Sequence, residues 1–177
     1  SFMEDLAVLF RHNVRRMWQE NSLKDEIEGL EYYVKLLRVR FGDRYRVRID
    51  IPADFHDLSF PPMILQPLLE NAIIHGFGEQ EEGGDIHITG ETVGAEKHLT
   101  VKDNGGGIPG EEIRWALRPI SYSEEDFSDH RGVGLRNVVL RLRLFFNDPE
   151  VVRIDSRPGE GSSVIIRLRA EQCTAYS

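Results

Sequence analysis

The chain has 177 residues, of which 40% are hydrophobic and 29% are charged, and its formal net charge is −8. Such a size and composition are typical of one globular domain, or of one domain with an appendage. The acidic balance argues against a general nucleic-acid binder, the single Cys173 excludes an internal disulfide and fits a reducing compartment, and no apolar run reaches the ~18 residues of a membrane span.

Helical patterns dominate the first quarter of the chain. Residues 2–20 carry apolar side chains at helical spacing, but this stripe is too short to fold alone. A capping-box pattern at Ser22 and Asp25 opens the next segment. Apolar residues then recur every three or four positions over residues 23–41, and Gly42 ends the pattern. We expect an amphipathic helix here that packs on the domain's own core, because fewer than three heptads are present for a coiled coil.

The rest of the chain is predicted to mix strands, helices and turns. Alternating character indicates strands, apolar residues at helical spacing indicate helices, and proline is tolerated in a helix's first turn. The predicted order is a strand at 45–51, a helix at 61–76, a polar turn at 79–84, a hairpin of 85–91 and 97–103, short and long helices at 111–117 and 135–146, and closing strands at 151–156 and 162–169. This order favours an α/β domain with a mixed, mostly antiparallel sheet and helices on one face.

One long segment has no periodicity. Residues 118–131 are rich in serine and acidic residues and contain Pro119. Because structureless connections of this length are uncommon in compact domains, we expect a functional lid that extends over residues 108–131.

Three glycine clusters lie downstream of one asparagine. They recur at intervals of 27 residues, at Gly105, Gly132 and Gly159. Glycine is also the default turn residue, so one cluster alone would be weak support for a site. Three clusters together with Asn71 and Asp103 predict a site built around a nucleotide.

Asn71 is the candidate metal ligand. Asn71 and His75 are four residues apart at the edge of the apolar arc of the 61–76 helix, so both point toward the interior margin, where polar groups need partners. An amide oxygen suits Mg²⁺ that is held between phosphates and few protein groups. A helix-edge amide bonded to a neighbouring loop is the alternative, and the glycine clusters favour the metal role.

Glu70 is the candidate catalytic residue. It lies about 100° around the same helix from Asn71, where a general base is conceivable. Its position, closer to Gln66 than to the expected metal, favours a solvent-side charge instead.

Asp103 is the candidate reader of a base. It ends a predicted strand and precedes three glycines. A carboxylate there can accept a hydrogen bond from an exocyclic amine such as that of adenine, and the glycines would let the backbone approach a flat base. A tight Asp-Asn turn is the alternative. Ser162, in the third cluster, either contacts the base or belongs to a plain hairpin loop.

The middle cluster suits a phosphate group. Gly132, Val133 and Gly134 precede a predicted helix that begins at Leu135. Free amides and the positive end of the helix dipole favour an anion at this point. A glycine hinge that ends the lid is the alternative, and both roles can hold together. The chain contains no P-loop, Rossmann or protein-kinase fingerprint.

Taken together, these motifs resemble the GHKL ATP-binding superfamily, which includes gyrase-type topoisomerases, a heat-shock chaperone family, mismatch-repair proteins and sensor histidine kinases. The matching N, G1, G2 and G3 boxes are Asn71 and residues 103–107, 132–135 and 159–162. Residues 36–44 and 61–76 are similar to bacterial sensor histidine kinases of the LytS/YesM type, and the resemblance extends over residues 22–170.

The resemblance implies a two-layer α/β sandwich of the GHKL type, with ATP beside the sheet-facing helices and a mobile lid. It implies that Asn71 holds Mg²⁺ and that Asp103 reads the adenine amine. The other nucleotide-binding residues that it implies are His75, Gly105, Gly107, Ile108, Gly132, Val133, Gly134, Leu135 and Ser162. Ser162 stands where the family usually has threonine.

The same resemblance implies how the chain fits into a longer protein. Residues 1–21 would be the remnant of a dimerisation and phosphoacceptor helix, and residues 22–177 the catalytic ATP-binding domain. The parent would be a membrane-anchored homodimer with this domain in the cytoplasm. It would move the γ-phosphoryl of Mg-ATP to a histidine of its dimerisation domain and then to an aspartate of a response regulator. No nucleic-acid partner is expected.

Two positions depart from the family pattern. Ile74 stands where many relatives carry lysine, so one phosphate contact is lost, which bears on turnover more than on binding. The Pro-His-Phe segment that holds the phosphoacceptor is absent, and His12 does not replace it. Two rival functions stay open: a non-enzymatic ATP-sensing or docking module, which Ile74 favours, and another GHKL ATPase or serine kinase, which residues 36–44 disfavour.

Overall fold

The computed structural model describes residues 21–77, 83–119 and 133–169. Within them are the strands β1 (Tyr45–Asp50), β2 (Gly84–Val93), β3 (Glu96–Asp103), β4 (Val152–Arg157) and β5 (Gly161–Arg169). They form one sheet in the order β1-β2-β3-β5-β4. β1 runs parallel to β2, and the other three neighbouring pairs are antiparallel. The prediction of a mixed, mostly antiparallel sheet is therefore confirmed.

The described residues also form the helices α1 (Leu23–Phe41), α2 (Leu65–Asn71), α3 (Gly110–Leu117) and α4 (Val133–Phe146). α1 begins at the predicted capping box, where the Asp25 N–H donates to Ser22 Oγ at 3.3 Å and the Ser22 N–H donates to Asp25 Oδ2 at 2.9 Å. It ends at the predicted Gly42. The predicted helix at 2–20 and the lid residues 120–131 lie outside the described residues.

One apolar core joins the helices to one face of the sheet. Ile88 of β2 and Leu65 of α2 are both fully buried in it. The opposite face of the sheet is polar: Arg48, His87 and Lys102 are neighbours in register across β1, β2 and β3. This is the predicted two-layer α/β arrangement. Across the three described ranges, no helix combines the length and apolar character that a membrane crossing requires.

The start of α2 differs from its prediction. The prolines at 61 and 62 were expected to open the helix, but it begins at Leu65. The buried Glu26 of α1 explains this start, because its carboxylate accepts hydrogen bonds from the N–H groups of Met63, Ile64 and Leu65 at 2.8, 2.9 and 3.2 Å. Met63 has a φ of 58°, which a right-handed helix cannot contain. A carboxylate distant in sequence thus caps α2.

The end of α2 also has a geometry that the sequence did not predict. After Asn71 the chain continues as a π-helical segment, Ala72–Phe77. At this junction the Ala72 N–H donates to the carbonyl groups of both Leu68 and Leu69. π-Helical turns are rare and occur frequently at functional sites. Here the wider turn brings Gly76 against the chain that follows β3.

Candidate nucleotide site

A narrow cavity lies between α2, α3, α4 and the ends of β3 and β5. Six of the predicted site residues line it: Asn71, Asp103, Gly107, Ile108, Leu135 and Ser162. Residues so distant in sequence meet because β3 and β5 are adjacent strands and because α2 and α4 pack on each other above the sheet. This cavity is therefore the candidate site.

Asp103 is a buried carboxylate that the protein holds from two sides. It lies at the end of β3 with 4% of its surface exposed. Its Oδ1 accepts a hydrogen bond from the Gly105 N–H at 2.8 Å, and its Oδ2 accepts one from Ser162 Oγ at 2.5 Å. A carboxylate has about four acceptor positions. Asp103 can therefore accept a further hydrogen bond from a ligand amine without losing either protein donor.

Ser162 has a role that the sequence did not specify. It lies directly opposite Asp103 in the register of β3 and β5, and its hydroxyl donates to the carboxylate. The sequence offered contact with a base or a plain hairpin loop. In the structure Ser162 lines the cavity and also fixes the orientation of Asp103.

Asn71 belongs to the helix layer, on the other side of the cavity. A β-carbon built at Gly134 would lie 3.3 Å from Asn71 Oδ1, so the asparagine side chain lies against the first turn of α4. Asn71 Nδ2 is buried and has no hydrogen-bond partner within the described part of the chain. Buried polar groups are nearly always paired, and each exception calls for an explanation. An unpaired amide end that borders a cavity fits a ligand-binding role.

The G1 glycines are required by close contact with the protein's own backbone. A β-carbon at Gly105 would lie 2.2 Å from the Gly76 carbonyl oxygen, and one at Gly107 would lie 2.5 Å from the Arg157 carbonyl oxygen. The Gly106 N–H also donates to the Gly76 oxygen at 2.5 Å. The sequence explained these glycines by approach to a flat base. The structure supplies a different reason, and of the three only Gly107 also lines the cavity.

Glu70 does not reach the cavity. Its Oε1 accepts a hydrogen bond from Gln66 Nε2 at 2.9 Å, as its predicted position near Gln66 suggested. The hydroxyl of Tyr33 in α1 also donates to the Glu70 carboxylate. Burial, together with the charge and the hydrogen bond of Glu70, raises the pKa of Tyr33 to about 12. Glu70 therefore lies on the side of α2 that faces α1.

The remaining predicted residues are not among those that line the cavity. Gly105 packs against the backbone of Gly76, which lines the cavity. Gly134 lies at the first turn of α4 beside Asn71. Gly132 lies outside the described residues, and so do the side chains of His75 and Val133.

Six further residues that line the cavity were not predicted: Leu68, Ala72, Gly76, Val101, Glu112 and Val164. Strand alternation could have assigned Val101 and Val164 to the inner face. Nothing in the sequence distinguishes Glu112 from Glu111, its neighbour in the first turn of α3. Only the orientation of α3 turns Glu112 toward the cavity.

The cavity is small and offers few metal ligands. Its free volume is about 20 Å³, which is room for one or two water molecules. A purine is much larger, so the lining side chains must move apart to admit one. Among residues 21–77, 83–119 and 133–169, no three His, Cys, Asp or Glu side chains gather as a metal site. A cation here would therefore take ligands from the nucleotide as well as from an amide.

A comparison with known protein families supports a nucleotide site in this cavity. Residues 56–172 match the family described as histidine kinase-, DNA gyrase B- and HSP90-like ATPases. The chain belongs to this family. The matched range contains Asn71, Asp103 and all three glycine clusters. The prediction of a GHKL ATP-binding domain is confirmed.

Curated relatives within this family include sensor kinases. The chain is 34% identical to YwpD of Bacillus subtilis over 155 residues, which are 87% of this chain and 52% of that protein. It is 29% identical to sensor histidine kinase BtsS of Escherichia coli over 163 residues, 92% of this chain and 26% of that protein. It is 29% identical to sensor protein LytS of Enterococcus faecalis over 168 residues, 94% of this chain and 28% of that protein. The chain thus spans about half of the first relative and about a quarter of the other two.

Solved structures of histidine kinases share the fold. The catalytic domain of histidine kinase ThkA gives a TM-score of 0.58 at 19% identity and covers 85% of this chain and 94% of that one. The histidine kinase domain of a blue-light activated histidine kinase from Erythrobacter litoralis gives 0.57 at 17% identity and covers 97% of this chain and 74% of that one. These likenesses confirm the predicted α/β fold.

Proposed function

We propose that this chain is the catalytic ATP-binding domain of a sensor histidine kinase. The observation that carries the proposal is the meeting of Asp103, from the sheet, with Asn71, from the helix layer, in one cavity. The family match and the similarity to sensor kinases such as BtsS and LytS support it.

Asp103 gives the site its preference for adenine. Its carboxylate accepts a hydrogen bond from the exocyclic amine of the base, while Ser162 and the Gly105 amide hold it in place. Guanine presents a carbonyl oxygen where adenine has its amine, and two acceptors repel each other. Gly107, Ile108 and Leu135 border the base and the lid side of the same cavity.

The helix layer receives the phosphates and the cation. The Oδ1 of Asn71 is of the ligand type that Mg²⁺ accepts, and its Nδ2, which has no partner among the described residues, leaves a donor for a ligand. Bound Mg²⁺ would neutralise charge on the phosphates during transfer. The start of α4 adds backbone amides and a positive dipole end, which favour phosphate near Gly132, Val133 and Gly134. His75 is the remaining residue that we propose to contact the nucleotide.

The position of Glu70 favours a charge outside the nucleotide site over a general base. The hydrogen bond that it accepts from Tyr33 directs it toward α1, and Gln66 of its own helix also donates to it, so Glu70 helps to join two helices. Catalysis would then rest on positioning and on charge stabilisation by metal and amides.

The proposal extends to the longer protein. Residues 1–21 would belong to the dimerisation and phosphoacceptor helix, and residues 22–177 to this domain. The parent, a membrane-anchored homodimer with this domain in the cytoplasm, would phosphorylate a histidine on its own dimerisation domain and pass the phosphoryl group to a response regulator.

A second candidate function is an ATP-sensing module without transfer activity. Ile74, at the position of the family lysine, is 63% exposed beside the site. An apolar side chain cannot contribute to phosphate binding, so nucleotide could bind here without efficient transfer.

Calorimetry with ATP, ADP and GTP, with and without Mg²⁺, tests the proposal. We expect saturable binding of adenine nucleotides, tighter for ATP when Mg²⁺ is present, and much weaker binding of GTP. Absence of any saturable signal with ATP and Mg²⁺ would overturn the proposal. Radiolabel from γ-labelled ATP should appear on a dimerisation helix supplied in trans and not on this chain alone. Binding without transfer in trans would favour the sensing module.

A further inference from the structure

The charge of the chain is locally reversed where α1 leads into β1. The chain carries a net charge of −8, yet residues 38–48 contain five arginines and one acidic residue, Asp43. Arg38, Arg46 and Arg48 are exposed. Exposed like charges repel one another weakly, and an anionic partner would relieve that repulsion.

β1 is also an edge strand. It pairs with β2 on one side, and no strand of the described residues pairs with its other side. An edge strand presents unpaired N–H and C=O groups that serve as a template for another strand. A basic cluster on such an edge repels basic strands and attracts acidic ones.

A groove of about 540 Å³ follows this edge. Its lining includes the consecutive residues Tyr45, Arg46, Val47 and Arg48. Because consecutive side chains of a strand point to opposite faces, a groove that all four line must run along the backbone edge. Through Asp85 of β2, the register partner of Arg46, it also extends over the solvent face of the sheet.

The rim of the groove is charged and open to solvent. Arg38 of α1, Asp43 and Asp85 complete the lining. Arg46 pairs with Asp85 at 2.8 Å, but their side chains are 69% and 34% exposed. Exposed ion pairs contribute little, so an incoming carboxylate can compete for Arg46. No ion pair is formed by Arg48 with another described residue.

We propose that this β1-edge groove binds an acidic segment of a partner protein in extended conformation. The segment pairs with β1 as a sixth strand. Its carboxylates, on alternate residues, lie beside Arg46 and Arg48, which are two residues apart on the solvent face of β1. A nucleic acid or an anionic membrane would use the arginines but leave the strand edge unpaired. This edge of β1, with which no described strand pairs, therefore favours a peptide.

Fluorescence anisotropy with a labelled Glu-Val-Glu-Val-Glu-Val-Glu peptide tests the proposal on the chain as it is. We expect saturable binding that weakens as salt rises. A fully N-methylated version of the peptide keeps its charges but cannot donate along a strand, and we expect it to bind about tenfold more weakly, a difference of about 1.4 kcal/mol. Equal binding of the two peptides would overturn strand pairing and with it the proposal.

Charge reversal tests the location. The double variant Arg46→Glu with Arg48→Glu should bind the peptide about tenfold more weakly or worse, because two attractions become repulsions. The matched control is Arg153→Glu with Arg157→Glu, which places the same charge change on exposed residues of β4, the opposite edge strand. Equal losses in both variants would show a general charge effect and overturn the proposal.

A second readout does not depend on how the variants fold. On the unchanged chain, the peptide should shift the backbone amide NMR signals of residues 45–48 and leave those of β4 in place. Shifts confined to β4, or tighter binding of an oligothymidine or of phosphatidylserine vesicles than of the peptide, would overturn the proposal. Absence of peptide binding would not count against the proposed nucleotide binding, because the groove and the cavity share no lining residue.

Discussion

The two sides of the cavity differ in how completely the protein satisfies its own polar groups. On the sheet side, both oxygens of Asp103 accept protein hydrogen bonds, and Gly105 is packed tightly against Gly76. On the helix side, Asn71 has a buried amide nitrogen without a described partner, and Gly134 is exposed. The carboxylate that we propose to read the base is therefore oriented in advance, although the cavity must widen to admit a purine, whereas the proposed phosphate side leaves a donor for its ligand. Preorganised polar groups are those that recognise a ligand at the least reorganisation cost.

The largest expected effect comes from breaking the sheet side at Gly105. In Gly105→Ala the new β-carbon would lie 2.2 Å from the Gly76 carbonyl oxygen, and backbone cannot yield as a flexible side chain can. We expect the free energy of unfolding to fall by about 3 kcal/mol, measured by urea denaturation. Gly106→Ala is the matched control, because the nearest atom to its β-carbon would be 3.5 Å away. Equal losses in the two variants would contradict the packing argument.

The next effect concerns the base. Asp103→Asn keeps the shape of the side chain but replaces one acceptor oxygen with a donor, which faces either the Gly105 N–H or the Ser162 hydroxyl and leaves fewer acceptor positions for the ligand amine. We expect ADP affinity to fall by about 1–3 kcal/mol, measured by calorimetry. The exposed Asp155→Asn, on β4, is the control. If ADP affinity is unchanged in Asp103→Asn, the assigned role is wrong.

A smaller effect of opposite sign on stability is expected on the helix side. Asn71→Leu removes the unpaired amide, so the free energy of unfolding should stay constant or rise by about 1 kcal/mol. The variant should lose the Mg²⁺-dependent part of ATP affinity and keep its affinity for adenosine. Calorimetry with and without Mg²⁺ measures both. A full Mg²⁺ effect in Asn71→Leu would show that the cation is held elsewhere.

The smallest expected effect concerns the pH dependence of stability and comes from Tyr33 of α1, which contacts α2 on the side away from the cavity. Burial and Glu70 raise the pKa of Tyr33 to about 12 from its ordinary value of 10.0. The folded state thus favours the protonated phenol, and this contribution is complete below pH 10 and is lost as pH rises toward 12. Denaturation between those pH values should show a shallower decline for Tyr33→Phe than for the parent chain. Tyr32→Phe, one residue away, is the control and should keep the parent slope.

Much of the architecture followed from local patterns. Ser22, Asp25 and Gly42 mark the ends of α1, and alternation with a glycine turn marks the β2–β3 hairpin, because caps and pleats act over a few residues. The start of α2 did not follow, since its cap is Glu26, which is 38 residues before Ile64 in sequence. Neither did the π-helical turn, which brings Gly76 into close contact with Gly105.

The candidate site shows the same division. Asn71, Asp103 and the glycine clusters stand out in the sequence because few residue types can serve a nucleotide at those positions. Glu112 and the hydrogen bond from Ser162 to Asp103 do not, because they depend on which elements become neighbours. Glu70 points away from the cavity because it accepts a hydrogen bond from Tyr33 of α1. The helical pattern around Glu70 cannot predict this contact, since it carries no information on where α1 packs.

Short-range spacing and amino-acid chemistry are enough to predict most of the elements, the family and the residue types that a nucleotide needs. Tertiary contacts alone settle which of those residues meet, how Asp103 is held while Asn71 Nδ2 has no partner among the described residues, and that the arginines of residues 38–48 border an edge of β1 with which no described strand pairs. Such facts depend on contacts between distant parts of the chain, and these contacts are fixed only when the sheet order and the packing of its helices are fixed.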